Sequence, residues 1–405
     1  MDSKGNPITV GSEMTAHDVS KYEVTHVERG EIIGDVHELV FRDPNHFRAG
    51  ELHCHLPFWE TIAERCPSAT QTDVLGWGRG MVSIFPYFRH FTGSFKGEHY
   101  DSDRPPKRMS RNNMSCKPFV NFVQKTLIDH LVTGAISLLG RVGEAEPPHI
   151  VLPLTVEPSK PRLCHDARYL NLWMQDKPFS LDSLNDLPRF VAKDSFQTVL
   201  DNKSGYGHIL LIESSRAFFG IQWGGWYFTY NTLPFGWKIS PYIYHTTGLL
   251  ATGFFRSIGI PYLLYIDDRH NGQLQDSLDE GAYSTLSTTE ERNIAAAKSV
   301  IFLVAYYLVK LGYFLGLSKS VLTPVKIVPY LGFLVDSSME VFHLIPERKC
   351  KFITLIRETL ESTYVSVKTL QRLARKCVSF SRAVPAAKLF TSEMNAAIFK
   401  GLRSQ

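Results

Sequence analysis

Residues 261–268 read Pro-Tyr-Leu-Leu-Tyr-Ile-Asp-Asp, an apolar and aromatic run that enters two adjacent acids, Asp267 and Asp268, before the chain turns polar at Arg269-His270-Asn271-Gly272. A run of this length bounded by Gly and polar residues reads as a buried strand ending in a turn. Burying ionised carboxylates is costly unless a cation sits between them. The strand tip is therefore a solvated turn or a metal site, and the dipeptide alone favours the turn. A second apolar run, residues 196–200, also ends in a carboxylate, Asp201, followed by Asn202-Lys203-Ser204-Gly205-Tyr206. If the two strands are neighbours in one sheet, three carboxylates converge. Carboxylates so placed can bridge two divalent ions, one activating an attacking hydroxyl and the other steadying a triphosphate and its leaving oxygen.

Cations are available for such a substrate. Lys160, Arg162 and Arg168 fall within nine residues. Arg168 can pair with Asp166, but three cations exceed what pairing requires, so the segment reads as an anion-binding element that neutralises phosphate charge. Lys319, on a later strand or turn, is placed to give a proton to a departing pyrophosphate.

The elements that must position these groups follow from the pattern. Residues 50–85 carry enough apolar side chains for a small packed unit, and residues 93–117 read as a linker with a basic run at Lys107, Arg108 and Arg111. Residues 119–139 have helical spacing, and residues 150–154 form a short strand. Two aromatic strands flank Gly224-Gly225 as a hairpin. A helix through Tyr244, Leu249 and Phe254 leads to the Asp-Asp strand. Residues 273–292 read as a polar surface excursion and residues 293–311 as a buried helix. Residues 317–322 and 327–335 read as closing strands, and two helices, residues 347–360 and 366–381, end the series. In the last of these Lys368, Arg372, Arg375 and Lys376 share one face and Leu370, Leu373, Ala374 and Cys377 another.

Composition narrows the class. The 405 residues suffice for two or three domains or subdomains, with ordinary globular composition and a formal net charge of +4. Residues 341–405 hold twelve Lys and Arg against four Glu, which points to a polyanionic partner or a solvated helical face. Six cysteines without a Cys-x-x-Cys pair argue for reduced thiols and an intracellular protein, cytoplasmic or nuclear. His53-Cys54-His55 lacks a second ligand pair and reads as structural. No apolar leader opens the chain. The most hydrophobic stretch, residues 300–309, is interrupted by Lys310 and falls short of the about 20 apolar residues of a membrane span, so no membrane partner is expected.

In order, the chain carries Lys160-Pro161-Arg162-Leu163 with Asp166, Arg168 and Leu170-Asn171, then Leu200-Asp201-Asn202-Lys203-Ser204-Gly205-Tyr206, then Leu233-Pro234-Phe235-Gly236-Trp237-Lys238-Ile239-Ser240-Pro241, Tyr265-Ile266-Asp267-Asp268, Leu317-Ser318-Lys319-Ser320 and Tyr330-Leu331-Gly332-Phe333. This ordered set resembles the reverse transcriptase family, with the closest flavour in retrotransposon enzymes of LTR and tyrosine-recombinase (DIRS-like) elements. The resemblance spans residues 145–390.

What it implies is an α+β right-hand polymerase: residues 118–198 fingers-like, residues 199–345 a palm of antiparallel sheet with helices on one face, and residues 346–405 a basic helical thumb, after residues 1–117 of unassigned role. It implies RNA-directed DNA synthesis from deoxynucleoside triphosphates on an RNA or DNA template with primer, using two Mg²⁺ or Mn²⁺ ions. Asp201, Asp267 and Asp268 match the metal carboxylates, and Asn202 the position whose carbonyl helps hold a metal. Lys160 and Arg162 match the triphosphate grip, and Tyr206 the aromatic gate against a ribose 2′-hydroxyl. Phe235-Gly236 match the template- and nucleotide-facing loop, Lys319 the general acid, and Tyr330-Leu331-Gly332 the primer grip. Lys368, Arg372 and Arg375 match a thumb following the duplex backbone. Phe235 departs from the Gln of retroviral enzymes, and no ribonuclease H or integrase-like segment is visible, so the chain reads as a fragment or a reduced reading frame. Two alternatives stand beside this one: an RNA-dependent RNA polymerase, which typically has an acid where Tyr206 stands, and a host-retained, non-catalytic nucleic-acid-binding protein. Oligomeric state is left open.

Overall fold

A computed structural model describes residue 36 and residues 47–159, 161–273, 288–389 and 391–403. Its centre is a four-stranded antiparallel sheet in the order Tyr262–Tyr265, Asp268–Asn271, Gln197–Leu200, Val321–Val325. The Asp-Asp run and the Asp201 run are thus one strand apart, separated only by the strand that starts at Asp268. Pairing matches Leu264 to Arg269, and Arg269 to Leu200, so the next step of the ladder sets Asp268 beside Asp201.

Alternation along the strands gives the sheet two buried faces. Leu200, Tyr262 and Leu264 join the main hydrophobic core, whereas Val199 and Leu263 join a smaller one with Leu187, Val328, Tyr330 and Val335. Helices Ser240–Ser257 and Thr289–Lys310 pack on the first face through residues such as Phe254, Phe255, Val304 and Tyr307. The second face is covered by a three-stranded sheet, Ile327–Tyr330, Phe333–Asp336 and Val341–Leu344. The expected single strand at residues 327–335 is therefore a hairpin, because Leu331 (φ 44°) and Gly332 (φ 82°) turn it.

A separate five-stranded sheet contains the hairpin Gly220–Trp223 and Trp226–Tyr230, turned by Gly224 (φ 58°) and Gly225 (φ 81°) as the glycine pair demands. The helix expected over residues 119–139 ends earlier, at Thr133, since Gly134 adopts φ 77° and caps it; Ile136–Arg141 is an edge strand of this sheet.

Three further expectations change. Residues 50–85 are not a unit of their own: Leu52, Trp59, Ile62, Val74 and Leu75 belong to the main core, with Trp59 Nε1 donating to the Leu311 carbonyl at 2.9 Å. Residues 93–117 are not a linker but hold the hairpin Phe91–Phe95 and Glu98–Ser102 and the edge strand Arg108–Met109; Arg108 is paired with Glu98 at 2.6 Å and lies over the Tyr169 ring. The apolar helix spans 22 residues, Thr289–Lys310, and passes by length and composition for a membrane span, although 72% of its apolar window is buried inside the protein. Most of the polar excursion expected at residues 273–292 lies outside the described residues. A third terminal helix, Thr391–Arg403, follows Pro346–Glu361 and Val367–Phe380.

Candidate active site

The apolar strand Tyr262–Tyr265 runs into a tight turn at Ile266-Asp267, and the chain returns as Asp268–Asn271. Ile266 takes φ 56°, a conformation that its β-branched side chain strongly disfavours. Such strain persists only where the surroundings impose it, and turns at functional sites are where it collects. Asp267 and Asp268 therefore flank the end of the central sheet, and Asp201 leaves the neighbouring strand at the same end.

Residues 313–320 wrap around Asp201. The Asp201 carbonyl accepts from Gly316 N at 2.7 Å, its N–H donates to Ser320 Oγ at 3.1 Å, and Asn202 bridges to Leu315. Gly316 leaves room for the carboxylate there, since a Cβ would lie 2.4 Å from Asp201 Oδ2 and would push it aside. The short helical turn Leu317–Lys319 then brings Lys319 Nζ to 3.4 Å from Asp201 Oδ2. The sequence-predicted general acid is thus at the carboxylates.

Burial and like charge act on the acids together. Burial, with Asp201 adding repulsion, raises the Asp267 carboxyl above its ordinary range. Asp268 is pushed up to about 6 by burial first and then by Asp267 and Asp201. The donors are hard carboxylate oxygens short of counter-charge, which suits Mg²⁺ or Mn²⁺. Among the described residues no three acidic, His or Cys side chains are already set around one ion position. The group is gathered rather than closed. Asn202 has its side chain turned inward, where Nδ2 donates to Tyr244 OH at 2.8 Å, while its main chain bridges to Leu315.

Tyr206 follows on a one-turn helix, Gly205–His208, entered through Ser204 at φ 54°. Its ring lies 4.8 Å from Phe235 and 5.5 Å from Tyr244, and burial followed by the Asp267 charge pushes its phenol up to about 12. The expected gate, loop and carboxylates are therefore neighbours. Phe235 is 60% exposed, and its carbonyl accepts from His165 Nδ1 at 3.2 Å. Gly236 takes φ 93°, and a Cβ there would meet the His165 carbonyl at 2.4 Å. Gly236→Ala is expected to cost about 2–3 kcal/mol of stability in urea unfolding, combining left-handed backbone strain with a backbone clash.

Other expected residues stand apart. Lys160 lies outside the described residues. Arg162 is itself exposed at the start of the strand Arg162–His165, paired with Leu154–Glu157, and among the described residues no ion pair joins it to the carboxylates. Arg168 is bound to Asp166 at 2.6 Å, the simple pairing expected for one of the three cations. Tyr330 borders the site from the second face: its ring is 5.1 Å from His270, and burial with the Asp268 charge raises its phenol well above the ordinary range. Lys368, Arg372 and Arg375 are exposed on the helix Val367–Phe380.

Sequence reasoning missed two basic features. Arg348 bonds the Gly332 carbonyl and stacks on Phe333 and Phe380, tying the turn after Tyr330 to the terminal helices. Burial and the cations Arg372, Arg348 and Lys351 hold the Lys376 ammonium below its ordinary value, so two helices contribute to one basic patch. The other is Arg269, whose polar surroundings in sequence mark a turn, yet which is 0% exposed in the central strand and lowers the Asp267 carboxyl against burial.

No protein-family profile and no curated protein matches the chain. Solved structures do. The foamy viral protease-reverse transcriptase dRH in complex with double-stranded DNA aligns with a TM-score of 0.56 at 16% identity, covering 85% of this chain and 55% of that one. The foamy viral protease-reverse transcriptase with an RNA/DNA hybrid aligns at 0.51 and 16%, covering 80% and 40%, and its double-stranded DNA complex at 0.50 and 16%, covering 80% and 62%. The chain thus spans about half the length of these neighbours. At such identity the likeness is one of fold, and the chain has a reverse transcriptase-like polymerase fold.

Proposed function

We propose that this chain is an RNA-directed DNA polymerase of retrotransposon type, working by two-metal nucleotidyl transfer. The observation that carries the reading is the gathering of Asp201, Asp267 and Asp268 at one end of the central sheet in a reverse transcriptase-like fold. Residues 199–345 would then be the palm, residues 118–198 the fingers and residues 346–405 the thumb. Asp201, Asp267, Asp268 and the main chain at Asn202 would hold two Mg²⁺ or Mn²⁺ ions. Bound there, the ions supply a lowered hydroxyl pKa and charge stabilisation at the leaving oxygen.

The chain's own residues do the rest. Lys160 and Arg162 grip the triphosphate of an incoming deoxynucleotide. Lys319, released from Asp201 when cations neutralise the carboxylates, is free to protonate pyrophosphate. Phe235 and Gly236 face the template and nucleotide, Tyr206 reads the sugar, and Tyr330-Leu331-Gly332 border the primer end. The neighbours' complexes with DNA and RNA/DNA support a primed template as partner.

Primer extension on an RNA template with Mg²⁺ or Mn²⁺, comparing deoxy- with ribonucleotides, tests the reading. Extension with deoxynucleotides is expected. Preference for ribonucleotides would assign an RNA polymerase, and duplex binding without extension would assign a non-catalytic binder; either overturns the proposal.

The thumb assignment makes its own prediction. Arg372→Gln with Arg375→Gln is expected to weaken duplex binding and to reduce the slope of log affinity against log salt by about 2, since each phosphate contact contributes about 0.9. An unchanged slope in a salt titration by fluorescence anisotropy rejects that role.

A further inference from the structure

We propose that His208 is the positioning residue of the sugar gate: its imidazole ties the turn that carries Tyr206 to the segment that wraps Asp201, so that gate ring and carboxylate keep one spacing. The inference deepens the reading of Tyr206 as the group that meets the sugar, and rests on it.

His208 closes the one-turn helix Gly205–His208 and is 0% exposed. Its two ring nitrogens face different partners. Nδ1 lies 3.0 Å from the carbonyl of Gly205, the residue before Tyr206, and Nε2 lies 3.0 Å from Phe314 N. A carbonyl only accepts and a backbone N–H only donates. The partners therefore fix the tautomer, with the proton on Nδ1 and a lone pair on Nε2. Aromatic rings pack around the imidazole, Phe47 at 5.0 Å and Tyr313 at 5.5 Å between centres. It is held in one pose.

The far side of the link leads to Asp201. The Phe314 carbonyl accepts from Lys203 N at 2.8 Å, Leu315 bridges to Asn202, and Gly316 N donates to the Asp201 carbonyl at 2.7 Å. Residues 314–316 thus run along residues 201–203 as a short antiparallel ladder, and the Phe314 N–H goes to His208. Chain connectivity alone does not set the spacing from Asp201 to Tyr206, because the backbone between them bends through Ser204 at φ 54°. A left-handed bend at a non-glycine residue keeps its direction only where the surroundings impose it. His208 closes that bend into a loop of contacts. Phe235 and Tyr244 back the sides of the Tyr206 ring, and His208 fixes the backbone from which the ring projects.

The test compares full-chain variants by kcat/KM for matched deoxy- and ribonucleoside triphosphates, with a thermal melt of each. His208→Asn keeps a donor near Gly205 but falls short of Phe314. It is expected to lower discrimination against the ribonucleotide about tenfold, with deoxynucleotide kcat changing less than that ratio, since the ladder at Asp201 stays intact. His208→Gln reaches Phe314 N with Oε1 and is expected to keep discrimination within about twofold of the unaltered chain. A lowered melt with unchanged discrimination in His208→Asn is the mark of packing and overturns the inference. A loss in His208→Gln as large as in His208→Asn overturns it too. Heteronuclear NMR of the histidine rings in the unaltered chain gives a check that needs no variant to fold: the tautomer protonated at Nδ1 is expected for His208, and a proton on Nε2 overturns the inference. Absence of extension by the unaltered chain, or undiminished discrimination in Tyr206→Ala, instead overturns the polymerase or gate reading beneath it, and this inference with it.

Discussion

Asp267→Asn is expected to reduce primer extension by about 10²–10³-fold while the purified protein melts no lower than the unaltered chain. The loss follows from the proposed chemistry, in which each carboxylate helps hold the ions that stabilise charge in the transition state, and removal of one such stabilising group typically costs about 10²–10³. The retained stability follows from the site itself. Burial and Asp201 both oppose ionisation of Asp267, so a neutral amide of the same shape relieves rather than adds strain. Single-nucleotide extension beside a thermal melt checks both halves. Full activity rejects the catalytic role, and a melt lowered by many degrees rejects the electrostatic account.

The carboxylates were legible in sequence because two features coincide at them. Apolar runs of strand length end abruptly in acids, and the ladder needs no unusual register to bring Asp201 beside Asp268. The glycine hairpin at Gly224-Gly225 and the helix after Pro241 were legible for the same reason, since local chemistry decides them. The apolar body of the long helix was readable but its start was not: it begins at Thr289, inside residues read as a polar excursion, where Thr288 and Glu291 form a capping box.

What was missed depends on contacts far along the chain. Arg269-His270-Asn271 looks like a solvated turn because all three are polar, but they form a fully buried strand. Each finds its partner elsewhere: Arg269 with Tyr262, His270 Nε2 with Gln197 Oε1 at 2.8 Å, and Asn271 Nδ2 with Thr198 Oγ1 at 3.1 Å. Tertiary hydrogen bonds outweigh the local preference, and the partners of His270 and Asn271 lie 73 residues away, outside any local window of sequence. In the basic run at Arg108, Glu98 on the preceding strand and the distant Tyr169 ring account for a cation that sequence alone left open to nucleic acid.

Tyr206→Ala is expected to raise ribonucleotide use relative to deoxyribonucleotide use by about 10²-fold. The size follows from how firmly the ring is held. It packs against Phe235 at 4.8 Å and Tyr244 at 5.5 Å, and Tyr244 is itself pinned by Asn202 at 2.8 Å. A backed ring cannot retreat from an added hydroxyl, and forcing an overlap into a packed site costs about 1–3 kcal/mol, or roughly 10–10² in a ratio of kcat/KM. Removing the ring removes that cost for the ribonucleotide alone, so deoxynucleotide KM should move less than the discrimination ratio. Tyr206→Phe keeps the ring and should keep the ratio. Measured kcat/KM for matched deoxy- and ribonucleoside triphosphates decides the matter: equal discrimination in Tyr206→Ala and the unaltered chain would mean that the sugar is read elsewhere.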